Sequence, residues 1–430
     1  MTQTTSHTVD AGAPMNDKSH DTGLTPRADT TFITRVVLKN YKSIAACDVP
    51  LRAFTILVGP NGAGKSNFLD ALRLVSDALR NSLDHALRDR GGVSEVRRRS
   101  GGHPNNFGIR LDFWLNGQEG HYAFRVAAQP RGDYEVQTEE CAIGDERYVV
   151  HSGNVIHAPG PVAPPASSDR LYLVNAAGLP AFRPVFDALS HMGFYNLTPD
   201  RMKDLQTPDK GDLLARDGSN LASVLERMSK AGARGKERVE EYLARVVPGI
   251  EGVDTVRVGH METIEFRQRV ESAKDAWRFP AINMSDGTPR ALGVLVALFQ
   301  QSSPLSVPLI GIEEPEVALH PAAAGILLDC LRDGARHTQV LVTSHSPDLL
   351  DDPDLTNDHL LAVMAEEGRT LIAPIDEASR SALRDHLYTA GELLRLNQLQ
   401  PSLASIPAPA QLKLFDADVE VLCQRVTDEG

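Results

Sequence analysis

Apolar residues recur along this chain with two periods, and each switch of period marks a change of element. Phe32-Ile33-Thr34-Arg35-Val36-Val37-Leu38 is rich in β-branched residues and predicts a strand. Asn40-Tyr41-Lys42-Ser43-Ile44 reads as a turn, with a second strand running toward Pro50. Phe54–Val58 is short and continuously apolar, the pattern of a central parallel strand. Residues 67–79 are amphipathic with a helical period, and the polar stretch 80–90 reads as a continuation of that helix. From Phe107 to Val174 the period falls to two: Phe107, Ile109, Leu111 and Phe113 alternate with polar or smaller residues, as do Tyr122, Phe124 and Val126. That predicts an antiparallel meander with one wet face. Residues 182–247 return to a helical period, with Asp217-Gly218-Ser219-Asn220 as a turn and N-cap. Alternation over 253–266 predicts a hairpin, and two last strands are expected at 360–364 and 370–375. No heptad seam is sustained, so a long coiled coil is not expected.

Composition narrows the class. With 430 residues, 42% hydrophobic and 23% charged, the chain has the make-up of a soluble globular protein of two or three packing units. No apolar run approaches the roughly 18 residues of a membrane span, so no membrane partner is expected. Four scattered cysteines without metal-ligand spacing suit reduced thiols, and the expected location is cytoplasmic. Residues 1–30 carry almost no large apolar side chains and read as a disordered tail. The net charge of −13 argues against bulk attraction to nucleic acid. A local basic groove stays open, and Arg97-Arg98-Arg99 between glycine pairs reads as a mobile basic loop, either solvated or touching a phosphate backbone.

Four stretches carry chemistry. Gly59-Pro60-Asn61-Gly62-Ala63-Gly64-Lys65-Ser66 is G-x-x-x-x-G-K-[ST] between a predicted strand and helix, the setting in which the pattern cradles phosphate. Gly62 and Gly64 let successive N–H groups turn inward, Lys65 adds a point charge, and the Ser66 hydroxyl is placed to meet Mg²⁺. Ser285-Asp286-Gly287-Thr288-Pro289 opens an apolar helix over 291–299, with Ser285 and Asp286 as capping groups, a ready anion site. Leu309-Ile310-Gly311-Ile312-Glu313-Glu314-Pro315-Glu316 is a buried strand ending in acids, where one carboxylate can serve Mg²⁺ and the next can activate water. Gln339-Val340-Leu341-Val342-Thr343-Ser344-His345-Ser346 is a second buried strand, ending in a histidine able to meet a γ-phosphate or the attacking water.

In that order the four stretches resemble the ATP-binding-cassette ATPases, in the SMC/RecF/OLD branch of AAA-type heads. The resemblance covers about residues 32–351. It implies an α/β P-loop head with a mostly parallel core sheet, an antiparallel β subdomain and a helical insertion. Gly59–Ser66, with Asn61, Gly62, Gly64, Lys65, Ser66 and Asn67, looks like Walker A. Ser285, Asp286 and Gly287 look like the signature motif, which in the family meets the γ-phosphate held by the opposite protomer. Glu313 stands where the family's Walker B aspartate would, Glu314 looks like the catalytic glutamate, and His345 like the switch histidine. Ala318-Leu319-His320-Pro321 looks like the D-loop, and Lys42 and Ser43 belong to a turn that lies near the nucleotide in this branch.

The resemblance implies ATP and Mg²⁺ as cofactors, with Ser66 and Glu313 toward the metal, and Glu314 and His345 as the catalytic pair in ATP hydrolysis. It also implies a head-to-tail homodimer, alone or within a higher oligomer. The expected layout is a tail over 1–30, an ATPase lobe over 31–180, a helical insertion over 181–250, a second ATPase lobe over 251–375 and a helical tail over 376–430. That short tail is similar to those of stand-alone ATPases that work beside a separate effector, such as a nuclease or toxin, in anti-phage defence. A RecF-type repair clamp that binds DNA is the alternative, and a transporter energiser is disfavoured by the signature wording. Asp416-Ala417-Asp418 is a D-x-D pattern, but it is not expected to open a nuclease domain so near the end of this sequence.

Overall fold

The computed structural model describes Met1, residues 31–100, 104–160, 163–270, 275–300 and 307–416, and Val419. The predicted tail thus lies outside the described residues apart from Met1, as do Gly101, Gly102, Ala417 and Asp418. Strands β1 (Ile33–Tyr41) and β2 (Ile44–Pro50) form a hairpin, and β3 (Phe54–Val58) runs into the glycine-rich loop. Strands β4 (Asn106–Leu115), β5 (Gln118–Ala128), β6 (Tyr134–Ile143), β7 (Glu146–His151) and β8 (Asn154–His157) form the meander. Then come β9 (Gly193–Tyr195), β10 (Ile250–Val258), β11 (Met261–Gln268), β12 (Trp277–Pro280), β13 (Leu309–Glu313), β14 (Gln339–Ser344), β15 (Leu360–Glu366) and β16 (Arg369–Pro374).

These strands build three sheets. One has the order β2-β1-β4-β5-β6-β7-β8 and is antiparallel throughout; β10-β11-β12 form a small antiparallel sheet. The core sheet runs β16-β15-β3-β14-β13-β9, with every pair parallel except the β15–β16 hairpin. The α/β class and the mostly parallel core expected from the sequence are therefore present. β3 shows why its run had to be continuously apolar: Leu57 joins one hydrophobic core, while Phe54, Ile56 and Val58 join the other. Helix Lys65–Arg80 buries Phe68, Leu69, Leu72, Val75 and Leu79 in the first core, each large side chain contributing about 2 kcal/mol of burial. Among the described residues no helix is long and apolar enough to cross a membrane.

Several expectations are corrected. The first helix does not run on to residue 90. It stops at Arg80, and the Ser82 hydroxyl accepts from the His85 N–H to start a new helix, Leu83–Arg88. The stretch read as helical over 182–247 contains β9, the edge strand of the core sheet, parallel to β13. The predicted hairpin gains a third strand, β12. Ser285 and Asp286 do not cap their helix: Asp286 sits at the N-cap with helical backbone angles and no capping bond.

Nor is the basic stretch a mobile loop. Arg98 is buried; its N–H donates to the Asn40 carbonyl at 2.7 Å and its guanidinium to the Ser43 carbonyl at 2.8 Å. Arg97 donates to the Pro104 carbonyl at 2.9 Å, and Arg99 is paired with Glu95. The meander's outer face is not simply wet either. Leu412, Leu414, Phe415 and Val419 pack there on Val37, Ala46, Ala123 and Val149. Arg110 donates to the Leu414 carbonyl and to Asp416, so the acid of the D-x-D pattern anchors this strap.

One buried carboxyl gives the meander a pH signature. Glu139 accepts from the Tyr122 and Tyr148 hydroxyls, at 3.1 and 2.9 Å, and from the N–H groups of Tyr172 and Leu173, at 2.5 and 2.8 Å. Burial nevertheless pushes it up to about 7, because those bonds offset only part of the desolvation. A carboxyl raised on folding stabilises the protonated folded state. That contribution is complete below pH about 4.5 and is lost as pH rises through about 7. The unfolding free-energy difference between wild type and Glu139→Gln is therefore expected to shrink by about 3 kcal/mol from pH 4.5 to 7.5. Urea titrations at the two pH values measure it, and a constant difference would contradict the assignment.

Candidate functional site

Loop 59–66 leaves the carboxyl end of β3 and enters helix Lys65–Arg80. The helix starts without a side-chain cap, from Gly64 at φ 101°, so its first N–H groups are available to an anion. Gly62 has φ 77° and open space where a Cβ would stand. Asn61, Gly62 and Ser66 are exposed along the loop, whereas Lys65 is buried. Its ammonium donates to the carbonyls of Gly59 at 2.8 Å and Pro60 at 3.0 Å. Burial lowers its pKa, and the nearby charges of Glu314 and Glu316 oppose that shift. The lysine thus rests on the loop's own carbonyls, beside two acids.

Those acids come from the end of β13. Glu313 lies opposite Thr343 of parallel β14, so the residues that follow both strands leave at the same sheet edge. Glu314 has φ 46°, a left-handed conformation uncommon for a residue with a side chain. Its N–H donates to the Thr343 carbonyl at 2.9 Å. Such geometry costs about 1–3 kcal/mol and persists where surrounding contacts impose it. It brings the Glu314 carboxylate 3.1 Å from His345 Nδ1. Ala318, two residues past Glu316, is also left-handed at φ 66°, and its carbonyl lies where a Cβ on Gly287 would go.

Around this pair stand further residues to which the motifs assign no role. Glu316 accepts from the Ser344 hydroxyl at 2.6 Å, and Ser344 accepts from the Ser346 N–H at 3.0 Å, which fixes the turn carrying His345. Burial raises the Glu316 pKa, with the Ser344 bond opposing. Arg290 is buried and donates to the carbonyls of Leu197 at 2.7 Å and Glu314 at 3.0 Å, tying the Ser-Asp-Gly helix to the acidic turn. Burial lowers the Arg290 pKa, while Glu316 and Glu314 act to raise it. A lone charged residue in an otherwise largely apolar helix was the available signal. Arg216 holds Glu313 at 3.2 Å, and no sequence pattern marks it.

The remaining candidates divide in two. Asn67 and Ser43 come together, the Asn67 amide donating to the Ser43 hydroxyl at 2.7 Å. Lys42 is engaged by Asp70 at 2.5 Å, within a cluster that includes Arg73, Arg90 and the Tyr41 hydroxyl. Burial pushes Asp70 up, but Arg90, Lys42 and Arg73 together hold it well below the usual carboxylate range. Ser285 and Asp286 are not brought to the glycine loop. Both are exposed; Ser285 lies 3.4 Å from the Thr288 hydroxyl, and Asp286 pairs with Lys203 at 2.5 Å.

The chain resembles an SMC head solved with the C-winged helix domain of ScpA: TM-score 0.51 and 15% identity, over 81% of this chain and 99% of that one. An Smc head with an extended coiled coil, bound to the C-terminal domain of ScpA from Pyrococcus furiosus, gives 0.50 and 13%, over 83% and 99%. At such identities the likeness establishes an SMC-head-like fold. The DNA replication and repair protein RecF of Vibrio campbellii is 41% identical over 44 residues, 10% of this chain, and that of Vibrio parahaemolyticus matches equally. The chain spans only 12% of the length of these curated relatives. The family AAA_21, described as "AAA domain, putative AbiEii toxin, Type IV TA system", matches residues 54–147 and 196–351. That match takes in the glycine loop, the Ser-Asp-Gly helix and both strand-end motifs, and with more than half of its residues inside it, the chain belongs to this family of AAA domains.

Proposed function

We propose that the protein binds and hydrolyses ATP, closes as a head-to-tail dimer around it, and regulates or senses for a separate effector in anti-phage defence. The observation that carries this reading is the Glu314–His345 pair, 3.1 Å apart at the sheet edge that also launches the Lys65 loop. The donor set suits Mg·ATP: an uncapped helix start with an open glycine faces phosphate, and the exposed Ser66 hydroxyl and the Arg216-paired Glu313 carboxylate are oxygen donors of the kind a hard cation takes.

Lys65 exchanges the Gly59 and Pro60 carbonyls for phosphate oxygens, a better partner for a buried ammonium. Ser66 and Glu313 would hold Mg²⁺, with Glu313 giving up its ion pair to Arg216. When bound, the ion neutralises charge on the phosphates. Glu314 accepts a proton from the attacking water, and His345, steadied by the Ser344–Glu316 contact, fixes the carboxylate's orientation. Ser285, Asp286 and Gly287 approach the γ-phosphate of the partner's site. Loss of that phosphate removes contacts specific to the closed state, which allows the dimer to open.

The family's description, which names a putative toxin and a Type IV TA system, supports a role within a toxin–antitoxin system. The RecF matches support a second reading, a DNA-binding repair clamp. ATP turnover by the wild type, with and without duplex DNA at two salt concentrations, separates the two. Turnover indifferent to DNA favours the effector reading; stimulation that falls steeply with salt favours the clamp. Lys65→Ala is expected to weaken ATP binding at least tenfold, measured by fluorescent-nucleotide titration. Equal binding by wild type and Lys65→Ala would remove the loop from the site.

A further inference from the structure

The glycine loop rests on a part of the fold that no motif marks, the β15–β16 hairpin. β15 lies beside β3 in parallel register, Ala362 opposite Val58, so Val363 comes level with Gly59. A Cβ on Gly59 would stand 2.0 Å from the Val363 carbonyl oxygen, and one on Gly64 would stand 2.0 Å from the Thr370 hydroxyl. Two glycines of the loop are thus seated against the same hairpin.

Thr370 does more than fill space. It is buried, its N–H donates to the Ser43 carbonyl at 3.0 Å, and its hydroxyl donates to the Ala63 carbonyl at 2.9 Å. The Ser43 hydroxyl lies 2.6 Å from the Thr370 hydroxyl. A threonine hydroxyl has one proton, and that of Thr370 is committed to Ala63, so Ser43 must donate to Thr370. Ser43 in turn accepts from the Asn67 amide at 2.7 Å. The proton directions are therefore fixed along one chain, from Asn67 to Ser43 to Thr370 to the Ala63 carbonyl, each bond polarising the next. Both ends of the chain lie at the phosphate loop: Ala63 within it and Asn67 in the first turn of its helix. Its middle runs through the β1–β2 turn and the β15–β16 hairpin.

We propose that Thr370 is a positioning residue for the nucleotide site, holding loop 59–66 in its phosphate-receiving curl before nucleotide arrives. The proposal rests on the ATP reading, and its cost of failure is separable from that reading. A loop ordered in advance spares ordering entropy on binding, so Thr370 acts on affinity and not on the chemical step.

The test is Thr370→Val, which keeps the shape and removes the hydroxyl, beside Thr370→Ser, which restores it. In nucleotide-free full-length protein, Thr370→Val is expected to speed amide exchange in peptides covering 59–66 about tenfold. Its Kd for ATP is expected to rise about tenfold, with kcat at saturating ATP within about twofold of wild type. Thr370→Ser is expected to sit within about twofold of wild type in all three. If thermal melting shows that Thr370→Val is broadly destabilised, Ser43→Ala breaks the same chain at a less buried turn and is expected to shift exchange and Kd in the same direction. Unchanged exchange and Kd in a folded variant that lacks the chain overturn the proposal and leave the ATP reading intact. Faster exchange in a wild type–variant pair neither of which binds ATP overturns the ATP reading and leaves Thr370 as a loop-holding residue.

Discussion

Glu314→Gln is expected to cut ATP turnover at least about a hundredfold while leaving ATP affinity within a few-fold of wild type. The amide has nearly the carboxylate's shape. The left-handed backbone at Glu314, the N–H bond to Thr343 and the Arg290 contact to its carbonyl are all main-chain features, and all survive the change. What is lost is the capacity to accept a proton. Lys65 and Glu313 are untouched, so nucleotide still binds. A dimer that closes on ATP and opens on hydrolysis is then held closed, and size exclusion with ATP should show dimer for the variant where wild type relaxes to monomer. Turnover at the wild-type rate would place the general base elsewhere. Reduced turnover with equally reduced affinity would make Glu314 a binding residue.

The candidate motifs were legible because each is a local pattern with a local cause. A continuously apolar pentapeptide, Phe54–Val58, can be buried on both faces, and the glycine loop after it has few other uses. Glu313 and Glu314 follow a run too apolar to be anything but a core strand. What escaped the sequence depends on distant partners. β9 is three residues long, too short for any period to register, and it exists because β13 offers it an edge. Arg98 looks like one charge among three, and only folding shows its guanidinium on the Ser43 carbonyl. Thr370 is an ordinary strand threonine until Ala63 lies beneath it, 307 residues away in sequence. The sheet's outer face reads as half-polar, yet residues 412–415 return to cover it.

Neither Lys65→Ala nor Ser285→Arg alone is expected to hydrolyse ATP, yet an equimolar mixture is expected to recover about a quarter of wild-type turnover. The reason lies in where each protomer leaves its groups. Asn61, Gly62 and Ser66 are exposed on the glycine loop, and Ser285 and Asp286 are exposed at the start of helix Gly287–Phe299. Their hydrogen bonds within the chain do not join the two surfaces: Asp286 turns to Lys203 and Ser285 to Thr288. On the proposed reading each surface presents half of a site, and a two-fold dimer would supply the other half twice. In a mixed dimer one site joins the intact loop of the Ser285→Arg protomer to the intact Ser-Asp-Gly start of the Lys65→Ala protomer; the other site collects both lesions. Random pairing makes about half the dimers mixed, and each has one working site of two. Recovery near a quarter requires the site to be shared between protomers. No recovery, with mixed dimers verified by differential tagging, would mean that each protomer acts alone, and the exposed Ser285 surface would then serve another purpose.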